Sequence, residues 1–439
     1  MRHTDVHPPL YFWALGAWRR LAGDSLATAR LLSVACAVAT LAQVARLATR
    51  TGTPPALAAL LTLGCYGFVY TGAIARGFAL AQMLLTGGAV LLLATRRPRG
   101  TSLAAGLCLG AATAANYLAV FPALGLLAGW SGPGRWRHVA WAMAAMLPWL
   151  ILDAWFFVAQ RGARPDQFPP FTLLSSIVRV ARYAVANLVG GLPLYMPPAW
   201  QMPMAAALSL FVLALVGLLL TWHARVPTPP AVRALALAAL APAAGLLALG
   251  AVFDTTPIEL RYLSFALPMA MPLLAGALSG SVRQGDGPLL FAGARRRRWR
   301  WPVLGMLLGV QGLAVVGLLT RPETMQPARR VAAAATELAA GAPVLLPAGN
   351  DGVGIIGAFG QEAPPDLRLI AVRADETPLQ IRARVADQGK VVVAGITQDS
   401  ASRAAVTAMQ AAFADPCWQV SAARDGAVSY RRTCPMPQP

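Results

Sequence analysis

Long apolar stretches separated by short arginine-bearing breaks fill the first three quarters of the chain. A helix needs about 20 mostly apolar residues to cross a bilayer. Such runs fall at roughly 26–46, 56–74, 77–95, 101–117, 118–132, 138–158, 203–222, 232–252, 260–280 and 302–320. They predict about ten spanning helices. After residue 320 the pattern changes. "APVLLP" (342–347), "LRLIAV" (367–372) and "KVVVAG" (390–395) read as buried strands. "ARRVAAAATELAA", "PLQIRARVAD" and "SASRAAVTAMQAAF" carry helical spacing around them. That alternation predicts a small α/β layer with a parallel sheet.

Composition sharpens the division. The 439-residue chain is 57% hydrophobic and 13% charged, with a mean hydropathy of +0.55. Soluble domains carry about 25% charged residues, so much of this surface is expected to face lipid. Residues 1–320 hold seven carboxylates: Asp5, Asp24, Asp153, Asp166, Asp254, Glu259 and Asp286. The other eleven of the eighteen lie in the last 119 residues. The expectation is a polytopic α-helical membrane domain over 1–320 and a soluble α/β domain over 321–439. The net charge of +19 does not point to nucleic acid, because the arginines sit in short loops between apolar runs. Met1 to Asp24 has no basic region followed by a clean apolar core, so no signal peptide is expected there.

Short loops rich in arginine face the cytoplasm. Arg46 and Arg50, then Arg96, Arg97 and Arg99, then Arg135 and Arg137 mark that side. Arg225 and Arg233, and the run Arg295 to Arg298 with Arg300, complete the set. Loops 95–100 and 133–138 share a side only if the chain between them crosses twice. A hairpin turning near Asn116-Tyr117 is therefore expected, with one longer tilted helix as the competing reading. With the hairpin, the N-terminus, the loop around Arg76, and loops 159–202 and 253–259 face outward. The C-terminal domain then lies on the outer face as well.

The opening "DVHPPLYFW", Asp5 to Trp13, is a rigid entry into an aromatic helix. Proline holds the preceding residue extended and is tolerated in a first helical turn. Tyr11, Phe12, Trp13 and Trp18 suit the headgroup level. Asp24 or Ser25 is expected to cap the first span. Arg30 then lies more than a turn inside that span, where a cation needs an anionic partner or a watery cavity. Asp153 sits inside a later span, either in a cavity or against a local helix.

The stretch "DVHPPLYFWALGAWRRLAGDSLATARLLSV" resembles the family 39 glycosyltransferases of the GT-C class. These are the protein O-mannosyltransferases and their bacterial relatives, including transferases that modify lipopolysaccharide. Asp5-Val6-His7-Pro8-Pro9-Leu10 matches the DxHPPL element, and Gly23-Asp24-Ser25 with Arg30 matches the G-D-S…R-L element. "ARGFAL", Ala75 to Leu80, is similar to A-R-x-Y-A-L with Phe78 in place of Tyr. "IELRYLSFALP", Ile258 to Pro268, is similar to the late E-x-R-Y…P segment. The resemblance implies a membrane enzyme that takes a sugar from a polyprenyl phosphate on the outer face. The acceptor would be lipopolysaccharide, another glycan or a protein, and transfer would invert the anomeric carbon. The carrier's tail stays in lipid while its phosphate needs cations, and the guanidinium fork suits two phosphate oxygens. Arg76, Arg261 with Tyr262, and Arg30 are the candidate phosphate-binding residues, with His7 as a candidate acceptor contact. Arg76 could instead snorkel to headgroups, and Arg261 could form a structural ion pair with Glu259.

In the resembling family a first helix and then a catalytic acid precede the HPP element, whereas only Met1-Arg2-His3-Thr4 precede Asp5 here. The expectation is a start codon assigned too late, with upstream codons encoding an apolar helix and an acid; a true truncation and an inactive remnant compete with it. Asp5, the one carboxylate beside the motif, either takes the acceptor proton, positions His7 or caps the aromatic helix. A divalent metal remains open, although a lone histidine seldom specifies one. A secondary transporter is the reading from another class, opposed by the few acids within spans and the lack of an inverted repeat. A non-catalytic lipid-binding scaffold is the third.

In the C-terminal domain, "GVGIIG" (Gly352 to Gly357) with Asp375 matches a dinucleotide fingerprint, but such short glycine patterns are common, and no nucleotide cofactor is expected. "CWQVSAARDGAVSYRRTC" reads as a hairpin on an Asp425-Gly426 turn. Counting outward, Cys417 falls opposite Cys434 as a non-hydrogen-bonded pair, so a disulfide is expected in an oxidising periplasm. Cys36, Cys65 and Cys108 lie in predicted spans and read as packing residues.

Overall fold

The structure, a computed structural model, describes residues 7–94, 98–160, 170–225, 228–283, 289–291, 300–321, 328–349 and 354–435. The chain forms two compact units, one ending at Thr320 and the other running from Arg321 to Pro439. The first unit is helical. It begins with α1 (Leu10–Ala22), α2 (Leu26–Thr51), α3 (Pro55–Gly64), α4 (Tyr66–Ala73) and α5 (Phe78–Leu92). Then follow α6 (Arg99–Ala115), α7 (Val120–Trp130), α8 (Trp136–Gln160), α9 (Leu173–Val189) and α10 (Pro198–Arg225). The unit closes with α11 (Pro230–Phe253), α12 (Leu260–Leu263), α13 (Leu267–Ser279), strands β1 (Ser281–Arg283) and β2 (Leu289–Phe291), and α14 (Arg300–Thr320).

Local chemistry sets the boundaries. Ser25 caps α2 by accepting from the Thr28 amide, and Gly52 ends that helix in the left-handed region. Cys65 is extended and bends α3 against α4 by 70°. Asn116, also extended, accepts from the Leu118 amide and separates α6 from a short 3-10 turn before α7.

Each of the ten apolar runs is helical, but among the described residues only six are long and apolar enough to span, with α12 and α13 counted together as Leu260–Ser279, or seven with the bent α3–α4 pair as one. The difference from ten lies in the short helices α5, α6 and α7. Much of α5 is buried within the unit, Phe78, Ala79, Ala81, Leu85 and Ala89 completely, so protein rather than lipid surrounds it.

Side-chain registers give each helix its direction. Ser102 bonds His138, Gly106 abuts Ala142, and Gly110 abuts Trp149, so α6 and α8 run parallel. The chain between them must therefore go out and return, as the hairpin reading requires. Gly125 and Gly129 of α7 meet Ala238 and Ala234 of α11, which makes that pair antiparallel. Gly88 of α5 meets Ala105 and Leu109 of α6, and Gly77 meets Ala115, another antiparallel pair. The starts of α6, α8 and α11, with Arg99, Arg135, Arg137 and Arg233, consequently share one end of the unit. The N-terminus of α1, the α4–α5 bend and the ends of α6, α8 and α11 share the other.

The second unit contains α15 (Ala328–Ala339), β3 (Val344–Pro347), α16 (Gly354–Glu362), β4 (Leu369–Val372), α17 (Pro378–Ala383), β5 (Lys390–Ala394) and α18 (Ser400–Ala412). It closes with β6 (Trp418–Arg424) and β7 (Ala427–Arg432). The strand order is β4-β3-β5-β7-β6. The expected parallel sheet is in fact mixed: β3 pairs parallel with β4 and β5, and the β6–β7 hairpin adds antiparallel strands through β7. Val344 and Leu346 pack with α15 and α16, while Leu345 packs with residues of α17 and α18 on the opposite face.

The hairpin turn is where the sequence places it, with Arg424 opposite Ala427. The expected Cys417–Cys434 opposition is not observed. A bulge at Ser421, whose hydroxyl bonds Ser429, shifts the register by one, so Thr433 donates to the Cys417 carbonyl. The disulfide nevertheless joins Cys417 to Cys434, with Cα atoms 5.0 Å apart. Converting both cysteines to serine is expected to destabilise this unit by about 3 kcal/mol, read as faster pulse proteolysis of residues 321–439 in the full chain.

Candidate phosphate-binding site

Arg76 and Arg261 are far apart in sequence, and both lie within electrostatic range of one tyrosine, Tyr262. Arg76 lies in the bend between α4 and α5, half-buried. Arg261 opens α12, just after the extended Glu259. Both guanidinium groups interact electrostatically with Tyr262, and Arg76 also with Tyr11. Tyr262 stacks on Phe78 at 6.1 Å, and Phe78 packs on Phe265 at 5.9 Å, so an aromatic layer holds the tyrosine in place. The Arg261 guanidinium stands 5.3 Å from the Tyr262 ring centre.

Arg261 is partly committed within the protein. Its Nη2 contacts Glu259 Oε2 at 2.5 Å, the ion pair that the sequence left as an alternative. Its Nε is buried and donates to no acceptor among the described residues. A buried donor without an acceptor costs roughly 1–3 kcal/mol, which a phosphate oxygen would recover. Asn187 of α9 holds the segment by donating to the Leu260 carbonyl at 2.7 Å. This asparagine had no sequence signal beyond its place on an amphipathic helix.

The opening motif lies at the same end. Gln160, at the end of α8, donates to the His7 carbonyl at 3.0 Å and accepts from the Tyr117 hydroxyl at 2.9 Å. His7 is thus tied through its backbone, and its ring stands edge-on to Phe12 at 6.4 Å. Tyr11 is buried, with its Cβ against the space beside Gly77. Asp5 lies outside the described residues. Arg30 is exposed on α2, and no hydrogen bond or ion pair among the described residues joins it to Arg76 or Arg261. No group of three or more His, Cys, Asp or Glu side chains that could hold a metal occurs among the described residues.

Asp153 is only 7% exposed and faces Thr113 of α6, yet neither oxygen reaches hydrogen-bond geometry. It lies on the stripe with Ala142 and Met146 by which α8 packs on α6, the face of α6 that does not carry α5. This is a contact between α8 and α6. Asp153→Leu is expected to leave undecaprenyl phosphate binding within about twofold, measured on detergent-purified protein; a carboxylate beside the phosphate would repel it, and its loss would tighten binding about tenfold. In the second unit, Asp375 pairs on the surface with Arg373 at 3.1 Å, and Gly352 lies outside the described residues.

No protein-family model matches the sequence, and no curated protein matches it. Solved structures do. ArnT from Cupriavidus metallidurans bound to undecaprenyl phosphate aligns over 99% of this chain and 89% of its own, with a TM-score of 0.54 at 12% identity. The same protein in the apo state aligns over 97% of this chain and 87% of its own, with a TM-score of 0.54 at 13% identity. The two share their architecture with this chain, which has the GT-C fold of a multi-pass membrane protein.

Proposed function

We propose that the chain transfers a sugar from a polyprenyl-phosphate donor to a cell-envelope acceptor at the outer face of a bacterial inner membrane. The observation that carries this reading is that Arg76 and Arg261 both lie within electrostatic range of Tyr262, with the buried Arg261 Nε finding no acceptor among the described residues. Two cations at a helix-end site suit a single phosphate, and the exposed apolar helices beside them suit its isoprenoid tail. The opposite end of the unit carries Arg99, Arg135, Arg137 and Arg233, which supports an outward orientation for the site. The described end of α14 is the point from which the chain continues into residues 321–439, so the same sign argument favours a periplasmic second domain. The cystine at Cys417–Cys434 suits that compartment.

In this mechanism Arg76 and Arg261 hold the departing polyprenyl phosphate and stabilise the charge it gains as the glycosidic bond breaks. Tyr262 keeps the two guanidinium groups in place. His7 lies at the same end, where an acceptor would enter, and Asp5 is the proposed proton acceptor within the matching motif. The test is reconstituted full-length protein given a panel of labelled undecaprenyl-phosphate sugars, compared with solute uptake into the same vesicles. Release of undecaprenyl phosphate supports the proposal. Uptake without release overturns it in favour of a transporter.

A further inference from the structure

We propose that Arg135 and Arg233 form a second anion site, at the opposite end of the membrane unit, that holds the phosphate of an anionic phospholipid. The loop Ser131–Arg135 joins α7 to α8 and passes the start of α11. The Nη2 atoms of Arg135 and Arg233 lie 3.1 and 3.6 Å from one point, the position that a Gly132 Cβ would occupy. Like charges converging this closely need a counter-charge. Among the described residues neither arginine makes an ion pair with a carboxylate, and no Asp or Glu occurs between Asp24 and Asp153 or between Asp166 and Asp254.

Both guanidinium groups are fixed by the carbonyls that end α7. Arg233 Nε donates to Gly129 at 2.7 Å and its Nη2 to Ser131 at 2.5 Å, while Arg135 Nε donates to Trp130 at 3.1 Å. An arginine has five N–H donors, so each keeps several for an anion. The 25-residue helix α8 starts at Trp136, and the free amides of its first turn add positive potential at the same place. The negative end of α7 offsets only a fraction of two full charges. Gly132 itself has φ +155° and no side chain, which leaves the space between the arginines open.

A lipid fits this space better than a soluble anion. Trp136 is exposed and Arg99 lies over Trp141, an aromatic and cationic belt of the kind found at headgroup level. Below it, Leu147 and Ile151 of α8 and Leu240 of α11 are 54%, 62% and 66% exposed, an apolar wall for acyl chains.

Native mass spectrometry of the detergent-purified full chain tests the site with phosphatidylglycerol and phosphatidylcholine. The wild type is expected to prefer phosphatidylglycerol about tenfold, and Arg135→Gln with Arg233→Gln to abolish that preference. Arg137→Gln removes a neighbouring charge outside the pair and is expected to change it less than twofold. Arg135→Lys with Arg233→Lys keeps both charges without the forks and is expected to fall between, which preserves the test if the glutamine pair fails to fold. An unchanged preference in the paired variants overturns the proposal. So does an equal loss in Arg137→Gln, or displacement of the lipid by millimolar inorganic phosphate, which would mark a soluble anion as the ligand.

Discussion

Replacing Arg261 by leucine is expected to weaken undecaprenyl phosphate binding about a hundredfold, with little change in melting temperature once Glu259 is also made glutamine. The magnitude follows from the bonds lost. A hydrogen bond to a charged group contributes about 1.5–3 kcal/mol, and each 1.4 kcal/mol is a factor of ten in affinity. Arg261 offers a buried, unpaired Nε and further N–H groups beyond the one on Glu259, so at least one strong bond to phosphate disappears. The single leucine variant leaves Glu259, 32% exposed, without its cation, which costs stability as well as binding. Adding Glu259→Gln removes the orphaned charge, so the double variant separates folding from recognition. Arg261→Lys keeps the charge but not the fork and is expected to lose about tenfold. Binding by native mass spectrometry, with melting by intrinsic fluorescence, reads both quantities. Wild-type affinity in the double variant would remove Arg261 from the site, and with it the donor proposed for this fold.

The contacts behind that prediction differ in how readable they are from the chain. The Arg76 bend and the Glu259-Leu260-Arg261-Tyr262 segment are legible as cations at the ends of apolar runs, because the bilayer forces charge to such places. Their meeting is not legible, since it depends on the long-range approach of α12 and α4–α5 through Phe78 and Tyr262. Gln160 carries a signal in retrospect: it falls seven residues after Asp153, on the stripe of α8 that faces α6. Asp153 shows the limit of reasoning from residue type. An intramembrane acid invites a functional role, and here it lies buried against Thr113 in the contact of α8 with α6.

Turns and strands follow the same division. Asp425-Gly426 fixes the hairpin turn because both residues take positive φ, at 45° and 83°. The bulge at Ser421 has no comparable marker. It arises from the serine side chain bonding Ser429 across the ladder, and it moves every pair beyond it by one residue. The disulfide survives because Cys434 lies past the end of β7, where the backbone is free to approach.

The packing of α7 on α11 rests on the spacing of its smallest residues. Gly125 and Gly129 form a small-xxx-small pair, and Ala234 and Ala238 form its partner on α11. In lipid the apolar effect gives helices little reason to associate, so close backbone contact must supply the attraction. A Cβ at Gly125 would lie 2.7 Å from the Leu237 carbonyl oxygen and 2.9 Å from the Ala238 Cα. One at Gly129 would lie 2.5 Å from the Ala234 Cα. These obstacles are backbone atoms and cannot rotate away. Gly125→Leu with Gly129→Leu is therefore expected to push the helices apart, at several kcal/mol, and to lower the melting temperature by about 10 °C or more. Gly305→Leu is the control, because a Cβ there meets nothing within 4 Å. Helix α11 carries Arg233 at one end, bonded to the Gly129 carbonyl, and leads at the other into the segment of Arg261. Separating α7 from α11 should thus impair phosphatidylglycerol and undecaprenyl phosphate binding together, whereas the arginine variants impair one and spare the other. A double leucine variant that melts and binds like the wild type would show that this contact does not hold the membrane unit together.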